Sequence, residues 1–126
     1  MRITYELWNE INDEIEQYIP RLMTASESVG ELFYEPLNEQ GSQLFAQYIT
    51  GLSHLIQSLL MTLKDAVDHA PQMIERVTPV MQSITTHVAD IENSLEKQKN
   101  IEVADIIKYE VPEKLNLLLA AIKESR

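Results

Sequence analysis

Three histidines, His54, His69 and His87, are the side chains from which metal or phosphoryl chemistry would have to start. A carboxylate-bridged di-metal centre in a helical protein needs Glu-x-x-His pairs on facing helices, because that spacing sets both ligands on one face one turn apart. None of the three histidines has a glutamate three residues before it. Asp65 and His69 are four apart and His87 and Asp90 three apart, so each pair could meet on a helix face. The plainer reading is a solvated or capping role, since His69 stands at a helix end, where a cation is favoured. No metal and no cofactor is expected.

His54 supports a different chemistry. On a helical wheel it falls about 180° from Phe45, on the side away from the apolar stripe. An exposed histidine on a bundle helix is what a histidine phosphotransfer domain presents, typically with a lysine three positions on and a glycine four positions on. Here those places hold Gln57 and Ser58. Both departures weaken that case relative to a plain exposed or interfacial histidine, and signalling through His54 is kept as the alternative reading. The acidic stretch Glu6, Glu10, Asp13 and Glu14 could clamp a cation or a basic peptide, although like charges four apart destabilise a helix slightly. The plainer reading is a solvated face that keeps the protein soluble. The sequence has no Gly-x-Ser-x-Gly elbow, no phosphate-binding glycine loop and no cysteine, so an enzyme is not expected.

The totals narrow the classes further. The chain has 126 residues, 44% of them hydrophobic, and a formal net charge of −10. That length suits one domain with its own core. The acids crowd the first 40 residues, where only Arg2 and Arg21 oppose them. Without a basic cluster such a chain repels phosphate backbones and anionic membranes, so neither nucleic acid nor membrane is an expected partner. The longest apolar run, Leu117 to Ile122, is far too short to span a bilayer. The opening residues turn acidic at once and offer no signal-peptide core, which makes the cytoplasm the default location.

The element that must position any site is the stretch from Gln40 to Leu63, which contains no formally charged residue. Phe45, Tyr48, Leu52, Leu55 and Leu59 are spaced three and four apart and line one side of a helix. Gln43, Gln47, Thr50, His54, Gln57 and Ser58 line the other. Before it, Trp8, Ile11, Ile15, Tyr18, Leu22, Ala25, Val29 and Leu32 predict one long helix that begins after a capping Thr4 and runs to about Tyr34, kinked at Pro20. Residues 35–41 predict a connection, and the second helix then runs from about Ser42 to His69, with Gly51 marking a close approach of a neighbouring backbone. Pro71 suits the start of a third helix, whose inward series is Ile74, Val77, Met81, Ile84, Val88, Ile91 and Leu95, with Pro79 inside it. A fourth follows Asn100 to about Glu124, with Ala104, Ile107, Val111, Leu115, Leu118 and Ile122 inward and Pro112 inside. Four long amphipathic helices joined by short links predict an all-α fold, an antiparallel up-down four-helix bundle with proline-kinked helices, as a single domain over 1–126.

Two short stretches, Gly51-Leu52-Ser53-His54-Leu55 and Ala104-Asp105-Ile106-Ile107-Lys108-Tyr109-Glu110, resemble segments of small uncharacterised helical-bundle proteins of Gram-positive bacteria. Those proteins pair a Gly-Leu-x-x-Leu segment with a later Ala-Asp-x-x-x-Tyr-Glu segment. The resemblance implies a bundle in a bacterial cytosol and supplies no activity.

What remains is contact. Val103, Ile106, Tyr109 and Leu117 fall roughly opposite the inward series of the fourth helix, and an apolar outer face of that size suggests association. The uncharged side of the second helix, with Gln47, His54 and Gln57, offers a second surface. The expectation is a non-enzymatic protein–protein interaction module: a homodimer, an adaptor or a small chaperone-like binder.

Overall fold

The computed structural model describes residues 3–126, so Met1 and Arg2 lie outside it. All regular structure among the described residues is helical. Helix α1 (Tyr5–Glu31) begins where the Thr4 hydroxyl accepts from the Leu7 amide at 3.2 Å, and it ends in a 3₁₀ turn at Leu32–Tyr34. Helix α2 (Glu39–His69) starts three residues earlier than its hydrophobic pattern suggests. Asn38 caps it from outside, its side chain accepting from the Gly41 amide at 2.7 Å. After Ala70 and Pro71 comes α3 (Gln72–Glu96), and Gln98, at φ 59°, turns the chain in the left-handed region. The fourth rod comprises α4 (Asn100–Asp105), one π turn (Ile106–Glu110) and α5 (Val111–Ser125). Pro20 and Pro79 both sit within helices that continue through them. The rods pack in a ring, α1 on α2, α2 on α3, α3 on the fourth rod and the fourth rod on α1.

The core line of α1 differs from the expected one at every second position. Trp8, Ile15, Leu22 and Val29 are buried as expected. Their partners in the stripe are Asn12, Ile19, Ser26 and Phe33, not Ile11, Tyr18, Ala25 and Leu32, which are half-buried at its edge. Both series have three-four spacing, and the polar Asn12 and Ser26 hid the deeper one. Each is held by a hydrogen bond. Asn12 donates to the Trp8 carbonyl at 2.9 Å, and Ser26 pairs with the Tyr48 hydroxyl at 2.6 Å. Burial pushes the Tyr48 phenol up to about 12, partly opposed by the Ser26 bond. Trp8 itself donates to the Thr62 carbonyl at 3.0 Å and pins α1 to α2.

The fourth rod carries the other departure. Val103, Ala104, Ile106 and Ile107 are buried in its first part, and Val111, Leu115, Leu118 and Ile122 in its second. On a uniform α-helical wheel these two faces are out of phase. The π turn reconciles them by fitting an extra residue into one turn, with the Val111 amide bonded back to the Ile106 carbonyl. Its cause is Pro112, which has no amide to donate and whose ring would strike the carbonyl four residues earlier. The expected outer face of Val103, Ile106, Tyr109 and Leu117 is therefore not formed as one patch. Val103 and Ile106 are interior, and only Tyr109 and Leu117 reach solvent.

Candidate functional site

Where α1 lies on α2 the surface opens into a cleft of about 280 Å³. Its floor is Ile11, Ile15 and Leu55, and its rim is Glu14, Gln17, Tyr18, Arg21, His54 and Ser58. Gly51 shapes this rim. A Cβ there would meet the Tyr18 hydroxyl at 2.9 Å and Leu22 Cδ2 at 3.1 Å, so the close neighbour is a pair of side chains and not the backbone expected from sequence. The Tyr18 hydroxyl donates to the Gly51 carbonyl at 3.3 Å, and His54 stands edge-on to the Tyr18 ring at 6.2 Å between centroids. His54 is exposed, as are Gln47 and Gln57 farther along the same side of α2. Continuous with the rim, the outer side of α2 shows Gln43, Ala46, Thr50, Ser53, Leu60 and Met61 to solvent, with no charge before Lys64. Helix α2 is thus open along its whole outer side, where the uncharged face offered a second surface.

The other histidines have structural surroundings. His69 Nε2 lies 3.2 Å from the Ile3 carbonyl, which only accepts, so that nitrogen carries the proton. Its ring packs against Tyr5 and Trp8. His87 lines a shallow hollow of about 420 Å³ with Pro79, Gln82, Ser83, Thr86 and Lys114, and among the described residues neither ring nitrogen has a hydrogen-bond partner. Neither histidine is joined to its neighbouring aspartate, and no three metal-ligating side chains converge among the described residues.

Two clusters on the far flank of α1 were not legible as sites. Lys108, from the π turn, bonds Glu31 and lies 5.3 Å from the Tyr34 ring centroid and 5.6 Å from that of Tyr109. The Glu31 bond raises the Lys108 ammonium above its ordinary value, against the lowering by burial. Arg126 reaches across to the start of α1, donating to the Asn9 carbonyl and to Asp13 at 2.8 Å each, and bonding Glu16. Burial works against its charge, while Asp13 and Glu16 raise it above the usual guanidinium value. The acidic face expected at Glu6, Glu10, Asp13 and Glu14 is consequently divided, with Asp13 already engaged.

A family model described as a domain of unknown function, DUF8042, matches residues 10–120. The chain belongs to the DUF8042 family. No curated protein and no solved structure matches it. The DUF8042 span contains the whole cleft, the uncharged side of α2 and the π turn, and it leaves out the Thr4 cap, Trp8 and Arg126.

Proposed function

We propose that this DUF8042 domain is a non-enzymatic protein–protein contact module that works as a homodimer, adaptor or small chaperone-like binder through the outer side of α2 and the adjoining cleft. One observation carries the reading. In a chain of net charge −10, a face running from Gln43 to Met61 is open to solvent and uncharged. Depletion of charge with retained polar groups and scattered apolar side chains is the composition of an interface core, whereas a purely solvated helix face is normally charged. The up-down antiparallel arrangement with proline-kinked helices belongs to the same reading. It is supported by His69 beside Ile3 and by Gln72 bonded to the Ser125 carbonyl at 2.6 Å, which bring opposite ends of neighbouring rods together. A cytoplasmic setting in a Gram-positive bacterium follows from the sequence resemblance, and no helix among the described residues is long and apolar enough to cross a membrane.

The test is cross-linking and light scattering on the purified chain and on a Thr50→Glu, Gln57→Glu variant. Association that the variant loses supports the module; a strictly monomeric particle with no recoverable partner sinks it. The alternative, phosphoryl transfer through His54, is favoured only by the exposure of that ring beside Tyr18. Incubation with labelled phosphodonors decides it, since absence of acid-labile phosphate in the wild type, or its persistence in His54→Ala, ends that reading.

A further inference from the structure

Arg21 is the only basic side chain on α1, it is exposed on the rim of the cleft, and among the described residues it has no ion-pair partner. Glu14, seven residues earlier on the same side of the helix, is likewise exposed and unpartnered. Two turns separate them, a rise of about 10.5 Å. We propose that this layer is where two copies of the chain meet, about a two-fold axis passing beside Tyr18 and His54, so that Glu14 of each copy faces Arg21 of the other. The inference rests on the contact-module reading and names its partner as a second copy.

An isologous interface sets residue i against j and j against i. A helix carrying one acid and one base on one stripe is therefore self-complementary when the axis falls midway between them. Here the midpoint lies at Gln17 and Tyr18, where the surface is uncharged and Tyr18 is fixed by its bond to the Gly51 carbonyl. Net charge points the same way. Two copies at −10 repel over most of their surfaces, so they can approach only where charge is absent or self-complementary. The α1–α2 layer is both, because α2 adds no charge between residues 40 and 63. Glu10, the next acid along the stripe, falls opposite the Thr24–Ala25 stretch of the other copy, which carries no carboxylate. The apolar floor of the cleft supplies area for the pair to cover.

Sedimentation velocity on the full chain, from micromolar to millimolar concentration, reads the pairing directly. Arg21→Glu and Glu14→Arg each place two like-charged pairs in the interface and are expected to weaken dimerisation by about a hundredfold. Mixing the two variants, or combining the changes in one chain, restores opposite charges at both contacts and is expected to restore the dimer. Circular dichroism on each variant separates loss of pairing from loss of fold, and the combined variant serves if a single one fails to fold. A wild-type chain that stays monomeric at millimolar concentration overturns the pairing, and the contact module then stands or falls on a partner captured through α2. Wild-type dimers indifferent to both reversals, or folded variants that do not recover when mixed, also overturn it while leaving the module intact.

Discussion

Helix α1 has two long flanks, and its charges are treated differently on each. Toward the fourth rod, Glu31 is bonded by Lys108, while Asp13 and Glu16 are bonded by Arg126. Toward α2, Glu14 and Arg21 stand at the surface without partners among the described residues. The α1–α2 seam is instead closed below the surface, by Trp8 on the Thr62 carbonyl, Tyr18 on the Gly51 carbonyl and Ser26 on Tyr48. Neutral bonds at depth leave the rim chemically unused, whereas the other seam uses its rim to hold itself together. The charges of one flank hold the fold together, and those of the other are left out of it.

The largest expected effect breaks the neutral seam from within. The folded-state value of Tyr48 is raised from 10.0 to about 12, so its contribution is complete below pH 10. It is lost as pH rises through 10 toward 12, when the unfolded chain ionises first. A two-unit shift corresponds to about 2–3 kcal/mol. Denaturant unfolding at pH 9 and pH 11.5 should show most of that loss in the wild type and a shallower one in Tyr48→Phe, the difference isolating this phenol from the other tyrosines. At neutral pH the variant should cost about 1 kcal/mol, since Ser26 Oγ loses its partner.

The two arginines come next. Arg126→Gln strips the charge partner from Glu16, a largely covered carboxylate, and from the more exposed Asp13. It should destabilise the chain by about 2 kcal/mol, between the values for surface and buried pairs. Arg21→Gln removes a cation with no ion-pair partner among the described residues, so unfolding of the monomer should change by less than about 0.5 kcal/mol. Equal losses from the two substitutions, measured at protein concentrations too low for association, would erase the contrast between the flanks.

How much of this could be read from the chain depends on the range of the interaction. The α2 stripe from Tyr48 to Leu59 was legible because uniform three-four spacing meets a uniform apolar composition. The α1 stripe was legible only at Trp8, Ile15, Leu22 and Val29, because burial of Asn12 and Ser26 requires partners that periodicity does not reveal. Pro112 marked a break inside the fourth rod but not which way the face turns there, and that turn decides whether Val103 and Ile106 face solvent or core. Exposure of Gln47, His54 and Gln57 followed from the wheel. Arg126 on Asp13, 113 positions apart in the chain, left no local trace. For the α1 half of the cleft there was a signal, Arg21 as the lone base of its helix, and it acquires meaning only once α2 beside it is seen to be open.

The smallest effect compares two glycines, one on each seam. Both lie inside helices with ordinary backbone angles, so alanine gains about 1 kcal/mol of helix propensity at either. At Gly30 a new Cβ would run into the middle of the Lys108 stem and lie 3.4 Å from the Ala104 carbonyl oxygen. Relief there means displacing the stem that carries the Glu31 bond, or separating α1 from the fourth rod. Overpacking of about 1–3 kcal/mol set against the propensity gain leaves Gly30→Ala destabilised by about 1 kcal/mol. At Gly51 the nearest atom is the far end of Tyr18, which can rotate toward solvent at the loss of one half-buried hydrogen bond. Gly51→Ala should therefore be neutral within about 0.5 kcal/mol while moving Tyr18 across the rim. Thermal unfolding of the two variants measures the first difference. Tyrosine fluorescence cannot resolve the second beside Trp8, but aromatic NMR of the Tyr18 ring can, and an unmoved ring in Gly51→Ala would mean that Leu22 yields instead.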